Sequence, residues 1–359
     1  MKKYKVGIVG ATGMVGKNFA NLLKDHPFFD LTVVAASSKS ASKTYREALD
    51  IKFGKTEKIP ERFHNLLVLD AQKDVKKISS LVDFVFCAID MEKYKLKKLE
   101  EAYAKSECPV ISNNSANRWT SDVPMIIPEI NSDHSRVIHS QRKRIKTKRG
   151  FIAVKPNCSL QCYVPTLHPL LNFKITKVLV CTYQSISGAG KVFNSWPEMI
   201  DNVIPYIPDE EEKTEKEPLK IWGKIKNGKI INSKNPSITS QCIRIPVSFG
   251  HTSAVFVSFK NKPSLNEILE RWKFFKGEAQ NLDLPSAPKQ FIKYFDDPYR
   301  PQINDVRKTE QSMAILTGRL REDKQYDYKF ICMSHNTVRG AAGGGILMAE
   351  LLSKQGFFD

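Results

Sequence analysis

Tyr4-Lys5-Val6-Gly7-Ile8-Val9 runs directly into Gly10-Ala11-Thr12-Gly13-Met14-Val15-Gly16, and a helical stretch continues to about Lys24. A short apolar strand, a glycine-rich turn and a helix make the opening of a dinucleotide-binding unit. Glycines let the backbone approach a pyrophosphate, which rests on the unpaired N–H groups at the helix start. The spacing is GxxGxxG rather than GxGxxG, and a plain tight strand-to-helix turn is the competing reading. The position at the head of the chain, between strand and helix, favours the nucleotide. Leu31 to Ala36 reads as the second strand. An NAD site carries Asp or Glu just beyond that strand, against the ribose 2′-hydroxyl. Here the chain has Ser37-Ser38-Lys39-Ser40, with Lys43 further on. Hydroxyls and a cation suit a 2′-phosphate, so the expected cofactor is NADP.

Working outward, Val82 to Ile89 is the continuous apolar run of a buried parallel strand, and its end at Ala88 faces the expected cofactor crevice. A charged helix (92–105) and a strand (109–112) follow. The polar loop Asn113-Asn114-Ser115-Ala116-Asn117-Arg118 then offers one arginine as a candidate anion site. A dense basic run, 141–149, lacks interleaved aromatics and precedes a strand, so it reads as a solvated connector rather than a nucleic-acid surface. Strands are expected over 177–183, 241–246, 253–259, 312–320 and 328–333. The acidic stretch 205–218 reads as a solvated loop, 276–307 is poor in regular signals, and a last amphipathic helix runs from about Ile346 to Lys354.

Composition bounds the class. With 359 residues, 41% hydrophobic and 26% charged, the chain is a soluble globular protein of two domains. Its net charge of +18 comes from lysines spread along the whole length, which suits anionic substrates better than nucleic acid. The seven cysteines are scattered without a CxxC pair, and the seven histidines lack ligand spacing, so neither a disulfide framework nor a metal site is expected. The basic start, Met1 to Lys5, resembles a signal n-region, but the apolar run after it is short and glycine-rich and reads as a strand. No stretch approaches the roughly 18 apolar residues of a membrane span. A cytoplasmic, reducing location is expected.

The chemistry centres on Lys155-Pro156-Asn157-Cys158-Ser159, between an apolar strand and a helical stretch beginning at Leu160. That context puts Cys158 at a helix N-terminus, where a thiolate is favoured. The bland alternative is one more small buried residue. A nucleophilic cysteine beside a nicotinamide site suggests aldehyde oxidation or acyl reduction through a thioester.

Six motifs in order, GIVGATGMVG (7–16), SNNSANR (112–118), PNCS (156–159), QSISGAG (184–190), RIPVSFGH (244–251) and NTVRGAAGG (336–344), give nearly the whole chain a resemblance to aspartate-semialdehyde dehydrogenases of the archaeal and fungal branch. The resemblance implies an α/β fold: a Rossmann-type NADP domain (1–155, completed by 336–359) and an α+β catalytic and dimerisation domain (156–335), as in glyceraldehyde-3-phosphate dehydrogenase. It implies Cys158 as nucleophile, His251 as acid/base and Gln184 as the group that orients the acyl intermediate. Arg244 would pair with the substrate α-carboxylate, Glu210 with its amino group, and Lys213, Arg118 and Asn114 with phosphate. Gly10, Thr12, Gly13, Met14, Val15, Ala88, Ser187, Gly188 and Asn336 would hold the cofactor, with Ser37, Ser38, Lys39 and Ser40 at its 2′-phosphate. The implied reaction reduces L-4-aspartyl phosphate to the semialdehyde in a homodimer or homotetramer. Rivals are a malonyl- or succinyl-CoA reductase of the same fold, and a non-catalytic NADP-binding relative.

Overall fold

The computed structural model describes residues 3–54 and 59–359; Met1 and Lys2, part of the basic start, lie outside it. The first sheet is all parallel. Its strands are β1 (Tyr4–Val9), β2 (Phe29–Ala36), β3 (Val68–Asp70), β4 (Phe84–Cys87), β5 (Val110–Ser112) and β6 (Ile152–Val154), in the order β3-β2-β1-β4-β5-β6. The order reverses between β1 and β4, so a crevice opens beyond their carboxyl ends at Gly10 and Ala88. Helices α1 (Met14–Leu22), α2 (Tyr45–Phe53), α3 (Val75–Leu81), α4 (Lys93–Lys105) and α5 (Ile138–Ile145) connect these strands.

The glycines at the first turn are a packing requirement. Gly10 has φ +95°, and a Cβ on Gly16 would sit 2.2 Å from the Gly10 carbonyl oxygen. Only with both residues bare does α1 start this close to β1.

The second sheet is mixed. After α6 (Leu160–Leu167) come β7 (Ile175–Gln184), α7 (Glu210–Ile221), the hairpin β8 (Lys224–Lys226) and β9 (Lys229–Ile231), β10 (Ser237–Arg244) and β11 (His251–Phe259). Then follow α8 (Leu265–Phe274), α9 (Glu278–Asn281), β12 (Ile292–Phe295), α10 (Ile303–Lys308), β13 (Ile315–Glu322), β14 (Tyr328–Ser334) and α11 (Gly343–Lys354). The order is β10-β7-β11-β14-β13-β12. Helix α6 packs on β11, β13 and β14. The opposite face carries half-buried Leu179, Cys181, Tyr183, Phe256, Ile331 and Met333 at every second position. Among the described residues no helix is long and apolar enough to cross a membrane.

Three local expectations change. The acidic stretch is not a solvated loop: Glu210–Ile221 is α7, with Glu210, Thr214 and Glu217 buried along one face. Glutamates suit the first turn of a helix because they oppose its dipole. The proline that suggested irregularity, Pro218, has no N–H for the carbonyl of Thr214, and the Tyr163 hydroxyl donates there instead (2.5 Å).

The basic run is likewise no solvated connector. Arg142, on the last turn of α5, donates to the carbonyls of Arg149 and Phe357, both 2.8 Å. Arg149 reaches the carbonyls of Asp83 (2.8 Å) and Phe358 (3.2 Å), and Arg144 grips Asp122. Arg142 and Arg149 fasten Phe357 and Phe358 to the first sheet. The third change is 276–307, which contains α9, β12 and most of α10.

Candidate active site

Strand register assembles the site. Arg244 of β10 lies opposite Gln184 of β7, Gln184 opposite His251 of β11, and His251 opposite Ser334 of β14. Residues up to 150 positions apart in the chain thus form one row across the sheet end. All four are buried, toward the face that α6 covers.

Cys158 meets this row from the other side. Asn157 accepts from the N–H (2.9 Å) and hydroxyl (3.1 Å) of Ser159, closing the turn that starts α6. Its own N–H donates to Glu217 (2.7 Å), so the turn is clamped at both ends. Cys158 Sγ comes to rest 3.3 Å from His251 Nε2. Gly340 makes room for it: a Cβ there would lie 2.8 Å from Cys158 Cβ.

Burial pushes the Cys158 thiol up to about 11, with Glu210 adding to the rise, while Lys155, Arg118 and Arg244 pull it down. His251 is pushed down to about 3, first by burial and then by Arg244 and His335, against the Gly250 carbonyl. The resting pair is therefore thiol and neutral imidazole. Because the thiolate is the reactive form and gains tenfold per pH unit below its pKa, alkylation of Cys158 by iodoacetamide is expected to accelerate by about tenfold per unit between pH 7 and 10. Peptide mapping of the labelled site checks this; a rate flat above pH 7 contradicts it.

Around this pair, Arg244 Nη1 donates to the Ser185 carbonyl (2.8 Å). Gln184 Nε2 donates to Glu210 (3.2 Å), whose other oxygen lies 3.5 Å from Lys213 Nζ. Of the three consecutive glutamates, Glu210 faces the site: Glu211 is bound to Gln241 and the Cys242 N–H, and Glu212 pairs with Lys216.

Arg118 and Asn114 are built into the wall. Arg118 donates to Glu217 (2.9 Å), the Lys155 carbonyl (3.0 Å) and the Asn113 carbonyl (3.2 Å). The Asn114 amide turns to Cys87 and to Glu100, which is fully buried. Sequence reading missed Glu217, which shares a helix face with Glu210 and Lys213 at i, i+3 and i+7. It also missed buried Lys155, drawn down to about 7 chiefly by burial, and Ser185, whose N–H reaches His251 Nδ1.

On the nucleotide side, Gly13 opens α1 without a side-chain cap, and no acidic residue stands in the first turn. Thr12 is buried there, Met14 and Val15 form the first turn, and Ala88 sits across the crevice. Ser37 to Ser40 form a turn beyond β2, with Ser37, Ser38 and Lys39 exposed. Asn336 accepts from the Gly250 N–H (2.8 Å) and donates to Ser187 Oγ (2.9 Å). Gly188, on the rim, lies against Arg244 and His251.

Comparison with known proteins agrees with this architecture. The description "Semialdehyde dehydrogenase, NAD binding domain" matches residues 5–138, and "Semialdehyde dehydrogenase, dimerisation domain" matches 167–339. The aspartate-semialdehyde dehydrogenase of Archaeoglobus fulgidus is 38% identical over 98% of this chain and 99% of its own. The malonyl CoA reductase (NADP) of Metallosphaera sedula is 34% identical over 99% of this chain and 98% of its own. The crystal structure of aspartate-semialdehyde dehydrogenase with NADP from Candida albicans superposes with a TM-score of 0.88 at 33% identity, covering 99% of this chain and 100% of that one. With Gln184, Arg244 and His251 brought to one sheet end and the sequence matched over 98% of its length, the chain belongs to the aspartate-semialdehyde dehydrogenase family.

Proposed function

We propose that the protein converts L-4-aspartyl phosphate to L-aspartate 4-semialdehyde and phosphate, reversibly, through a thioester on Cys158 with NADP as cofactor. The observation that carries this is the 3.3 Å approach of Cys158 Sγ to His251 Nε2 beside the Arg244–Gln184 row. A thiolate, a donor for the acyl oxygen and charges for a doubly anionic substrate meet in one place.

The cofactor fits the residues present. The uncapped, acid-free start of α1 suits a pyrophosphate held by Gly10, Thr12, Gly13, Met14 and Val15 opposite Ala88. The carboxylate-free turn Ser37 to Ser40 suits the 2′-phosphate, and Ser187, Gly188 and Asn336 the nicotinamide end. When bound, the reduced nicotinamide supplies a hydride to the acyl carbon. The chain's own residues do the rest. Cys158 sulfur bonds to the acyl carbon, the carbon–oxygen bond to phosphate breaks, and phosphate leaves with the electron pair and takes up the proton of the thiol. Once the acyl carbon has gained hydride, its bond to sulfur breaks, the semialdehyde is released, and the Cys158 thiolate takes a proton from solvent. Arg244 holds the α-carboxylate in its fork and Glu210 the ammonium group. That ammonium offsets the Glu210 charge, which in the free protein disfavours the thiolate. Lys213, with Arg118 and Asn114 in the wall behind it, faces the phosphate.

Two further readings belong here. Residues 1–155 with 336–359 form the cofactor domain and 156–335 the catalytic one. The half-buried sheet face around Tyr183, Phe256 and Met333 joins two copies in a homodimer, which pairs again if the protein is a tetramer. The seven free cysteines fit a cytoplasmic location.

The test is phosphate-dependent reduction of NADP with L-aspartate semialdehyde, run beside malonyl-CoA and N-acetylglutamyl phosphate reduction with NADPH. Turnover of the aspartate compounds at least about tenfold above the others is expected, from the Glu210 contact to a free ammonium. Preference for either rival overturns the proposal. Lys39→Ala is expected to weaken NADP by about tenfold, one charged hydrogen bond, and to leave NAD unchanged; equal losses for both cofactors place Lys39 elsewhere.

A further inference from the structure

We infer that His251 acts as a neutral imidazole whose Nε2–H is a fixed hydrogen-bond donor to the acyl oxygen, and that Ser185, Ser187 and Asn336 hold it in that tautomer. This rests on the reading above, that His251 meets the acyl oxygen.

The assignment starts from a backbone group that only donates. The Gly250 N–H points at the Asn336 amide (2.8 Å), so the atom facing it is the amide oxygen. The Asn336 nitrogen therefore faces Ser187 Oγ and donates to it (2.9 Å). Ser187, already accepting from Asn336, can turn its own hydrogen to Ser185 Oγ (3.1 Å), which leaves the Ser185 hydrogen for His251 Nδ1 (3.4 Å). A second donor, the Ser185 backbone N–H, reaches the same nitrogen at 3.2 Å. Two donors aimed at Nδ1 leave it no proton of its own, so in the neutral ring the proton sits on Nε2. All five residues are buried.

The charges around the ring point the same way. Arg244 and His335 face it and disfavour an imidazolium, and Cys158 is protonated in the free protein. The competing tautomer would put the proton on Nδ1 toward the Gly250 carbonyl, with the Ser185 N–H pressed against it.

A donor that keeps its proton is sufficient for the chemistry. In each half-reaction the acyl oxygen begins as a carbonyl, becomes an alkoxide while its carbon is tetrahedral, and ends as a carbonyl. Its net proton balance is zero, and it needs stabilisation rather than protonation. It follows that His251 does not take the proton of Cys158 in the resting protein, since Nε2 has no free lone pair.

The test is nitrogen NMR of cofactor-free protein labelled on histidine, with the His251 signals identified by their loss in His251→Asn. The expected result is a pyridine-type Nδ1 and a pyrrole-type Nε2 that do not titrate between pH 6 and 8.5. A pyrrole-type Nδ1, or an imidazolium in that range, overturns the inference whether or not the protein turns over aspartyl phosphate. Ser185→Ala, which keeps the backbone N–H, is expected to lower kcat about tenfold, the effect of one hydrogen bond, and to shift the His251 ring-nitrogen signals toward a mixture of the two tautomers; Ser185→Thr restores both. Unchanged signals in Ser185→Ala would remove the hydroxyl relay from the account.

Discussion

Cys158→Ser is expected to lower phosphate-dependent NADP reduction by at least about 10⁴-fold, with KM for NADP unchanged and the thermal midpoint within a few degrees. The substitution changes one atom, so the 3.3 Å approach to His251 and the turn clamped by Asn157 and Glu217 remain. What changes is acidity. A hydroxyl becomes a nucleophile only when a base takes its proton, as in a serine–histidine pair. Here Ser185 aims its N–H at His251 Nδ1, and on the inference above the nitrogen beside residue 158 already bears a proton. Serine is left without a base, whereas a thiol can reach the anionic state with help from Lys155, Arg118 and Arg244. Residual turnover above a trace, measured by stopped-flow at saturating substrate, contradicts both the nucleophile assignment and the donor role of His251.

Most of the parallel sheet was legible because its strands are largely apolar runs and its first turn is written in glycines, whereas the three-residue edge strand β3 (Val68–Asp70), which ends in an aspartate, was not read. Five strands of the second sheet were legible but not their order, and β12 lay hidden in the stretch 276–307. Nothing in the sequence says that Arg244, Gln184 and His251 share a row; that is decided by β7 pairing parallel with β10 and antiparallel with β11. Family resemblance supplied the names of those residues, and register supplied the reason they act together. The acidic helix α7 was hidden because Pro218 breaks its pattern, and the repair, Tyr163 donating to Thr214, comes from a residue 51 positions upstream. Glu217 was hidden for the opposite reason. It looked like one more solvent-facing glutamate, yet it is fully buried between Arg118 and Asn157. A carboxylate so placed is costly unless both partners are present.

Gly188 carries the second large effect. An ideal Cβ on it lies 2.8 Å from Arg244 Nη1, 3.1 Å from His251 Cε1 and 3.3 Å from His251 Nε2. The first distance is shorter than real side-chain carbons adopt, so something must yield. His251 is packed between two strands and tied through Nδ1, which leaves the guanidinium to move. Among the described residues the Ser185 carbonyl is what holds it on that side, and a displacement of about 1 Å spoils a two-pronged grip on a carboxylate, a loss of about 100-fold in kcat/KM. Gly188→Ala is therefore expected to lose about that much with L-aspartate semialdehyde, mostly in KM, because the α-carboxylate contact is made in ground and transition states alike. The fold should be indifferent, since the residue is exposed on the rim. Gly190→Ala provides the contrast. Nothing lies within 4 Å of the added carbon there, but φ is +69°, so it should cost about 1 kcal/mol of stability while kcat/KM stays near that of the parent. If the two variants trade places, with Gly188→Ala active and Gly190→Ala inactive, then Arg244 is not the carboxylate clamp and the rim loop contributes through its backbone shape alone.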